Sequence, residues 1–382
     1  MKKKKTKQGN PYLVPAMSLL LAGMMVLALV LPDKAFSYTE NRPLAASANV
    51  SWQGMVTGKS AEEMDIWFSD QIPGRNMFFH MDYLIRKACG QEEIKNVFLG
   101  NNALLSNPEK ENKELISDTL QAIETFASQN GMNNYLLVAP PAAIVQPQKL
   151  PDNAPVRQIS STYDAIAREL PSVHNVDIRD MLGEHKDEYI FYKTDHHWTT
   201  LGAGYAVQSL LEAMDIDMNP GDFKRMPVSH SFEGTLAAKT GSVFLKDQID
   251  IAVSKDTPEY FVTWADGSKT ASIYDRSALE TRDKYQVFLS NNQSKIRIDT
   301  LSDSGRSLLL FKDSYANSAV QYLLPYFSSI TIVDPRYYYD DLELVLGSDL
   351  FTDCAFLYSY DTFATISSLK DVLNAWNEEH VQ

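Results

Sequence analysis

The chain has 382 residues, enough to bury one large core or two modest ones. Its apolar share of 44% and aromatic share of 11% are those of a globular protein and not of a disordered one. A net charge of −14 argues against nucleic acid as a partner, because holding phosphates needs clustered Lys and Arg. Cys89 and Cys354 show neither CxxC spacing nor a multi-cysteine framework, so two buried free thiols are expected.

The chain begins with a basic head, Lys2–Lys5 and Lys7 within residues 1–11, followed by an apolar run from Leu13 to Leu31. That run approaches the roughly 20 residues needed to cross a bilayer as a helix. The positive flank stays in the cytoplasm, so the body should lie outside the cell membrane as a single-pass, extracytoplasmic domain. Ala35-Phe36-Ser37 suits a signal peptidase, which makes secretion after cleavage the competing reading of residues 12–31. The run is longer than the usual signal core of about 7–15 residues, and this favours an uncleaved anchor. Residues 32–50, with Glu40-Asn41-Arg42-Pro43-Leu44, read as a linker, and residues 51–382 as one α/β domain.

Helical patterns surround Met64–Phe68 and Phe78–Lys87, broken between them at Pro73-Gly74. Val97–Gly100 reads as a short strand ending in a turn. Leu115, Ile116, Leu120, Ile123 and Phe126 then recur at helical spacing, with Gly131 placed as a C-cap. Tyr135–Val138 is a buried strand, Ser160–Leu170 a helix and His174–Ile178 another strand. A helix capped by Thr199 or Thr200 buries Leu201, Tyr205, Leu210, Leu211 and Met214. About 217–306 the rhythm breaks into short alternating segments, which predicts an inserted irregular or β region roofing a site. It resumes with Leu308–Phe311 as strand, Ser318–Phe327 as helix, strands at Ile330–Val333 and Ala355–Tyr358, and a closing helix over Ile366–Trp376. Such alternation predicts a mostly parallel sheet with helices on both faces and ligands beyond the carboxyl ends of its strands.

Two motifs carry chemistry. Thr194-Asp195-His196-His197-Trp198-Thr199 places a carboxylate and two imidazoles together, groups that need partners if buried. In an extended segment Asp195 and His197 share one face and His196 takes the other. Asp195 can then fix the tautomer of His197 as a general base. Ser307–Tyr315 joins a buried strand to a helix through a short turn, where Ser314 can be lifted from the sheet and the following N–H groups face a developing oxyanion. Ser314 needs a neighbouring base such as His197 to attack. The plain alternatives are a helix-capping loop for Asp195 and an N-cap for Ser314. Metal binding by Asp195, His196 and His197 lacks a second histidine pair, so no metal and no cofactor are expected.

These motifs, with Glu40–Leu44 and Asn96–Gly100, resemble the DHHW family of exported bacterial proteins, which is similar to the alginate O-acetyltransferases. The resemblance implies an SGNH-hydrolase-like three-layer α/β sandwich in circularly permuted order. It implies a catalytic Asp195, His197 and Ser314 for acyl transfer or ester hydrolysis. Its substrate would be a cell-surface polysaccharide, with acetyl groups supplied by a membrane-bound O-acyltransferase. Lys312 departs from the glycine those acetyltransferases carry before their serine motif. Trp198, Tyr315 and Tyr337–Tyr339 would suit stacking on sugars, and Asn291 or Asn292 and Arg336 would suit polar contacts. The competing function is a non-catalytic carbohydrate-binding or assembly factor of the cell envelope that keeps the fold without the chemistry.

Overall fold

The computed structural model describes residues 12–46 and 50–380; the basic head lies outside the described residues. These fall into two compact units, one running to Gly90 with Gly241–Val243, the other Gln91–Thr240 with Phe244 onward. The sequence sets the start of the α/β domain at residue 51, whereas the division falls at Gly90.

In the first unit, α1 (Leu13–Val30) carries no charged side chain and has a mean hydropathy of 2.4, long and apolar enough to cross a membrane. β1 (Phe36–Ser37) and β2 (Arg42–Pro43) form an antiparallel ribbon. Three helices follow, α2 (Trp52–Thr57), α3 (Lys59–Gln71) and α4 (Arg75–Ala88). Much of the expected linker is tied down. Arg42 grips the buried Asp70 through both terminal nitrogens (2.5 and 3.1 Å), and Arg75 pairs with Glu40. A buried carboxylate must be paired, and here its partners are Arg42 of the ribbon, the N–H of Ala45 just beyond it and Arg75 of α4. Cys89 caps α4 in an exposed position, unlike the buried thiol expected there, while Cys354 is buried; both are free.

The second unit opens with a small sheet of β3 (Glu93–Ile94), β4 (Val97–Gly100) and β5 (Ala103–Ser106). Next come α5 (Lys113–Gln129), β6 (Asn133–Ala139), α6 (Ala142–Val145), α7 (Ser160–Glu169), β7 (His174–Asn175), α8 (Arg179–Glu184) and α9 (Thr200–Ala213). The Asn112 side chain accepts from Leu115 N–H to start α5, and Gly131, at a φ of 71°, follows its end. The chain continues through β8 (Lys224–Phe232), α10 (Thr235–Thr240), β9 (Asp247–Val253), β10 (Tyr260–Thr263), β11 (Lys269–Thr270) and β12 (Lys295–Thr300). It closes with β13 (Ser307–Lys312), β14 (Ser329–Val333), α11 (Glu343–Leu346), β15 (Asp353–Ser359), α12 (Tyr360–Thr365) and α13 (Ser368–His380).

Eight strands form one mixed sheet in the order β11-β10-β12-β14-β13-β15-β6-β7. β14, β13, β15, β6 and β7 run parallel, and β12, β10 and β11 add an antiparallel edge. Alternate side chains of β13 serve opposite cores, as the pleat requires. Leu308 and Leu310 pack with Ala203, Ala206 and Leu210 of α9, while Leu309 and Phe311 pack with Leu120 and Phe126 of α5 and Leu373 of α13. The result is the expected SGNH-like three-layer α/β sandwich.

Two parts differ from the sequence prediction. Within residues 217–306, β10 and β12 are strands of the main sheet, and only β8 and β9 form a separate hairpin. Alternating segments of this kind signal a strand without revealing which sheet receives it. The helix predicted over Ser318–Phe327 is instead a pair of 3-10 turns, Ser314–Ser318 and Val320–Tyr322. Every residue from Tyr315 to Leu324 is buried, so the segment has no solvent face, and Pro325 cannot extend a helical ladder.

The ring of Phe311 stacks on Phe356 (5.2 Å between centroids) and meets Phe126 edge-on (5.9 Å). Phe311→Ala should therefore cost about 3–5 kcal/mol by denaturant unfolding. Tyr339→Ala, at a largely exposed position, should stay within about 0.5 kcal/mol.

Candidate active site

Thr194–His197 is a series of bends and not a strand, and Trp198 makes an isolated antiparallel bridge with Phe191. Asp195 makes an Asx turn, its Oδ1 accepting the backbone N–H of His197 at 3.0 Å. The same oxygen accepts from Nδ1 of His197 at 2.6 Å. An ionised carboxylate only accepts, so Nδ1 carries the hydrogen and Nε2 presents a lone pair. Ser314 Oγ lies 2.9 Å from that Nε2 and donates to it. Asp195, His197 and Ser314, read from separate motifs, thus form one continuous hydrogen-bonded line.

Alternation along an extended segment would send His196 away, and the bend overturns that expectation. The two imidazoles lie side by side, 3.9 Å between centroids and tilted by 36°. His196 Nδ1 lies 2.7 Å from Thr235 Oγ1, and Thr235 gives both its N–H (2.7 Å) and its hydroxyl (3.0 Å) to Asp195 Oδ2. Because the Thr235 hydroxyl hydrogen is spent on Asp195, His196 Nδ1 must be the donor to that oxygen.

Residues outside both motifs hold this arrangement. A Cβ on Gly234 would sit 2.3 Å from Cβ of Asp195, so only glycine lets the N-terminus of α10 approach the carboxylate. Asp247, at the start of β9, accepts the N–H groups of Lys193 and Thr194 at 2.8 Å each. Tyr285 stacks flat on His197, 3.9 Å between centroids and 12° between planes, and its hydroxyl donates to the Ser314 carbonyl at 3.0 Å. Sequence reasoning missed Gly234, Thr235, Asp247 and Tyr285, all from the segment read as an insert. An isolated Gly-Thr or tyrosine there carries no spacing signal.

The turn after β13 is braced by two acids. Asp313 is the expected turn residue: Oδ1 accepts Tyr315 N–H (2.9 Å), and Oδ2 accepts Ser359 N–H (3.0 Å). Ala316 N–H donates to the Asp313 carbonyl (3.3 Å). The N–H groups following Ser314 are therefore spent inside the turn, contrary to the oxyanion role expected of them. Among the described residues the N–H of Ser314 itself keeps no internal partner. Lys312 is fully buried, with Nζ 3.0 Å from Asp334 Oδ2, 2.9 Å from Asn317 Oδ1 and 3.3 Å from Asn292 Oδ1.

The expected sugar contacts fare differently. Trp198 is wholly buried, its Nε1–H shared between the Tyr315 carbonyl (3.0 Å) and Ser318 Oγ (3.1 Å). Tyr315 is buried too and donates to the His196 carbonyl. Neither offers a ring face to a ligand, so both are corrected from substrate contact to packing. Arg336 is clamped edge-on by Asp334 (2.8 and 2.7 Å), and Asn291 is exposed, accepting the N–H of Asn292 (2.7 Å). Neither is joined by a bond to Asp195, His197 or Ser314 among the described residues.

Burial works to raise the Asp195 carboxyl, but the two histidines and the Thr235 N–H outweigh it and hold the group well below the carboxylate range. Burial, helped by His196, pushes the His197 imidazole down to about 4 against the opposing pull of Asp195. His197 is thus neutral at physiological pH, the form in which Nε2 can take a proton. Asp195, His196 and His197 also bring three ligand atoms within 4.8 Å. Asp195 Oδ1 and His197 Nδ1 are already bonded to each other, which leaves a poor metal cradle.

The family model described as SGNH hydrolase-like domain, acetyltransferase AlgX, matches residues 98–289, half of the chain. The chain belongs to this family. Among solved structures it is similar to a DHHW family protein from Eubacterium siraeum, at 22% identity and a TM-score of 0.62, covering 73% of this chain and 98% of that one. It is also similar to Bacillus cereus PatB1 with a sulfonyl adduct, at 19% identity and a TM-score of 0.61, covering 72% of this chain and 99% of that one. A search of curated proteins finds no match. The resemblance to DHHW proteins and alginate acetyltransferases, read from the motifs, holds. The family match ends before Ser314, so Ser314 stands on geometry.

Nuclear magnetic resonance of labelled imidazoles should find His197 neutral down to about pH 4. His196→Ala removes a neighbour that disfavours the imidazolium, so the His197 midpoint should move upward towards ordinary values of about 6.5. An unchanged midpoint would show that His196 has no electrostatic hold on His197.

Proposed function

We propose that this protein is an exported SGNH-like acyltransferase or esterase that O-acetylates a cell-surface polysaccharide through Ser314, His197 and Asp195. The single observation that carries the reading is the unbroken hydrogen-bonded line from Asp195 Oδ1 through the His197 ring to Ser314 Oγ, spanning 2.6 and 2.9 Å. Membership of the AlgX acetyltransferase family supports acetyl transfer to a polysaccharide over other serine chemistry.

His197 Nε2 takes the hydroxyl proton as Ser314 Oγ bonds to the carbonyl carbon of an acetyl donor. The tetrahedral intermediate collapses, the donor's C–O bond breaks, and His197 returns the proton to the departing oxygen. A sugar hydroxyl then gives its proton to His197 and attacks acetyl-Ser314, releasing the acetylated sugar and restoring the serine. With water as acceptor the products are acetate and the free enzyme. Asp195 stays ionised throughout and stabilises the imidazolium of each step. The Ser314 N–H is the donor this turn offers to the oxyanion. Acetyl groups would come from a membrane-bound O-acyltransferase, and α1 would anchor the body outside the membrane.

Ser314→Ala and His197→Ala should each lower turnover of a small acetyl ester roughly 10³-fold or more while melting near the parent temperature. Combining them should cost little more, because members of one catalytic unit are not additive. A sulfonyl fluoride should modify Ser314, read by peptide mass spectrometry, and should fail to do so in His197→Ala. Full activity of Ser314→Ala would overturn the assignment and favour the non-catalytic envelope factor.

The anchor has its own test. Protease added to intact spheroplasts should digest the body while α1 stays with the membrane. Full protection would refute export, and soluble protein beginning after Ser37 would refute the anchor.

A further inference from the structure

The first unit carries an apolar surface that its own packing leaves uncovered. α4 buries Tyr83 and half-buries Arg75, Phe79 and His80. At about 100° per residue these four positions lie on one side of the helix. Met77, Phe78, Met81, Leu84, Ile85 and Ala88 fall on the opposite side within an arc of about 120°. All six are exposed, Met77 at 56% and Ile85 at 58% among them. α2 repeats the pattern on a smaller scale with Trp52, Met55 and Val56, exposed by 82, 61 and 74%. Isolated apolar side chains on a surface are ordinary, but a full stripe opposite a buried face is a site of contact.

The same unit indicates what covers it. Its first helix, α1, is exposed along an uncharged length suited to a bilayer. The residues directly after α1 are fastened to the end of α3. Lys34 N–H donates to Gln71 Oε1 at 2.9 Å, Gln71 Nε2 donates back to the Lys34 carbonyl at 3.0 Å, and Trp67 Nε1 donates to Asp33 at 3.2 Å. α4 starts at Arg75, four residues beyond Gln71. The outer end of a membrane helix and the start of α4 are therefore held together by short bonds. A strongly amphipathic helix that begins at the lipid–water boundary has its apolar face satisfied by acyl chains.

We propose that α4 lies in the plane of the membrane interface, its Met77–Ala88 stripe set among the lipid chains, so that the first unit is fixed to the bilayer by two elements and not by α1 alone. This rests on α1 being a membrane anchor. A helix lying on the surface restricts the tilt and spin that a single span would allow, and so gives the first unit a defined face towards the membrane.

The test uses the full chain in vesicles of phosphatidylcholine with phosphatidylglycerol. In a Cys89→Ser background, Met81→Cys or Ile85→Cys places a bimane probe on the stripe, and Lys87→Cys places it off the stripe in the same last turns. Cys354 is buried and does not compete for label. Each protein is floated with vesicles, its melting temperature compared with the parent, and its probe challenged with doxyl-labelled lipid. Several-fold stronger quenching at positions 81 and 85 than at 87 is the expected result. Equal, weak quenching at all three in protein that floats overturns the interfacial helix while leaving the anchor intact. Protein that does not float overturns the anchor reading and this proposal with it.

Discussion

The buried carboxylate of Asp195 is the constraint around which the site is built. An ionised group sealed from water is costly unless its lone pairs are filled. Here they are filled by the His197 N–H, the His197 ring, and the N–H and hydroxyl of Thr235. Each donor imposes a demand on the chain. The Asx turn replaces an extended strand at Asp195, and glycine is required at position 234 so that α10 can close in. Asp247 in turn holds Thr194 and Lys193 so that the carboxylate points inwards. The line to Ser314 follows because a carboxylate bonded at Nδ1 of His197 leaves Nε2 free on the far side of the ring.

A second buried charge performs the matching task for the serine. Lys312 ends β13 inside the protein, where the Asp334 carboxylate and two asparagine oxygens help make an ammonium tolerable. Those bonds tie the ends of β13 and β14 to the turn that follows. Asp313 ties the same turn to Ser359 at the end of β15. Ser314 is thus held from both neighbouring strands of the parallel portion, at the carboxyl edge where such sheets present their ligands. Lys312 therefore has a structural role: through Asp334 and Asn317 it braces the turn that carries Ser314.

Tyr285 links the two halves. Its ring lies flat on His197 and its hydroxyl reaches the Ser314 carbonyl, so base and nucleophile share one support. It comes from a stretch whose own small core includes Tyr192, Phe232 and Phe288. That core shields His197 from water and contributes to the burial that keeps its imidazole neutral. The electrostatics of the site are therefore set by apolar packing as much as by the charged residues themselves.

Several features were determined by the sequence alone, because they depend on neighbours in the chain. The uncharged run of α1 follows from composition, and the strand and helix rhythm of the second unit follows from periodicity, down to the caps at Thr199 and Gly131. The Asp195–His197 pair follows from spacing, since a carboxylate two residues ahead of an imidazole meets it both in the Asx turn found here and in the extended geometry first expected. Contacts across long separations were decided only by the tertiary structure. The side-by-side histidines, the burial of Trp198 and Tyr315, the 3-10 path after Ser314 and the entry of β10 and β12 into the main sheet all answer to packing from distant segments. Thr235, Asp247 and Tyr285 enter the site by the same route. No local pattern marks such residues, because the burial and hydrogen-bond demands they meet exist only once the sheet has formed.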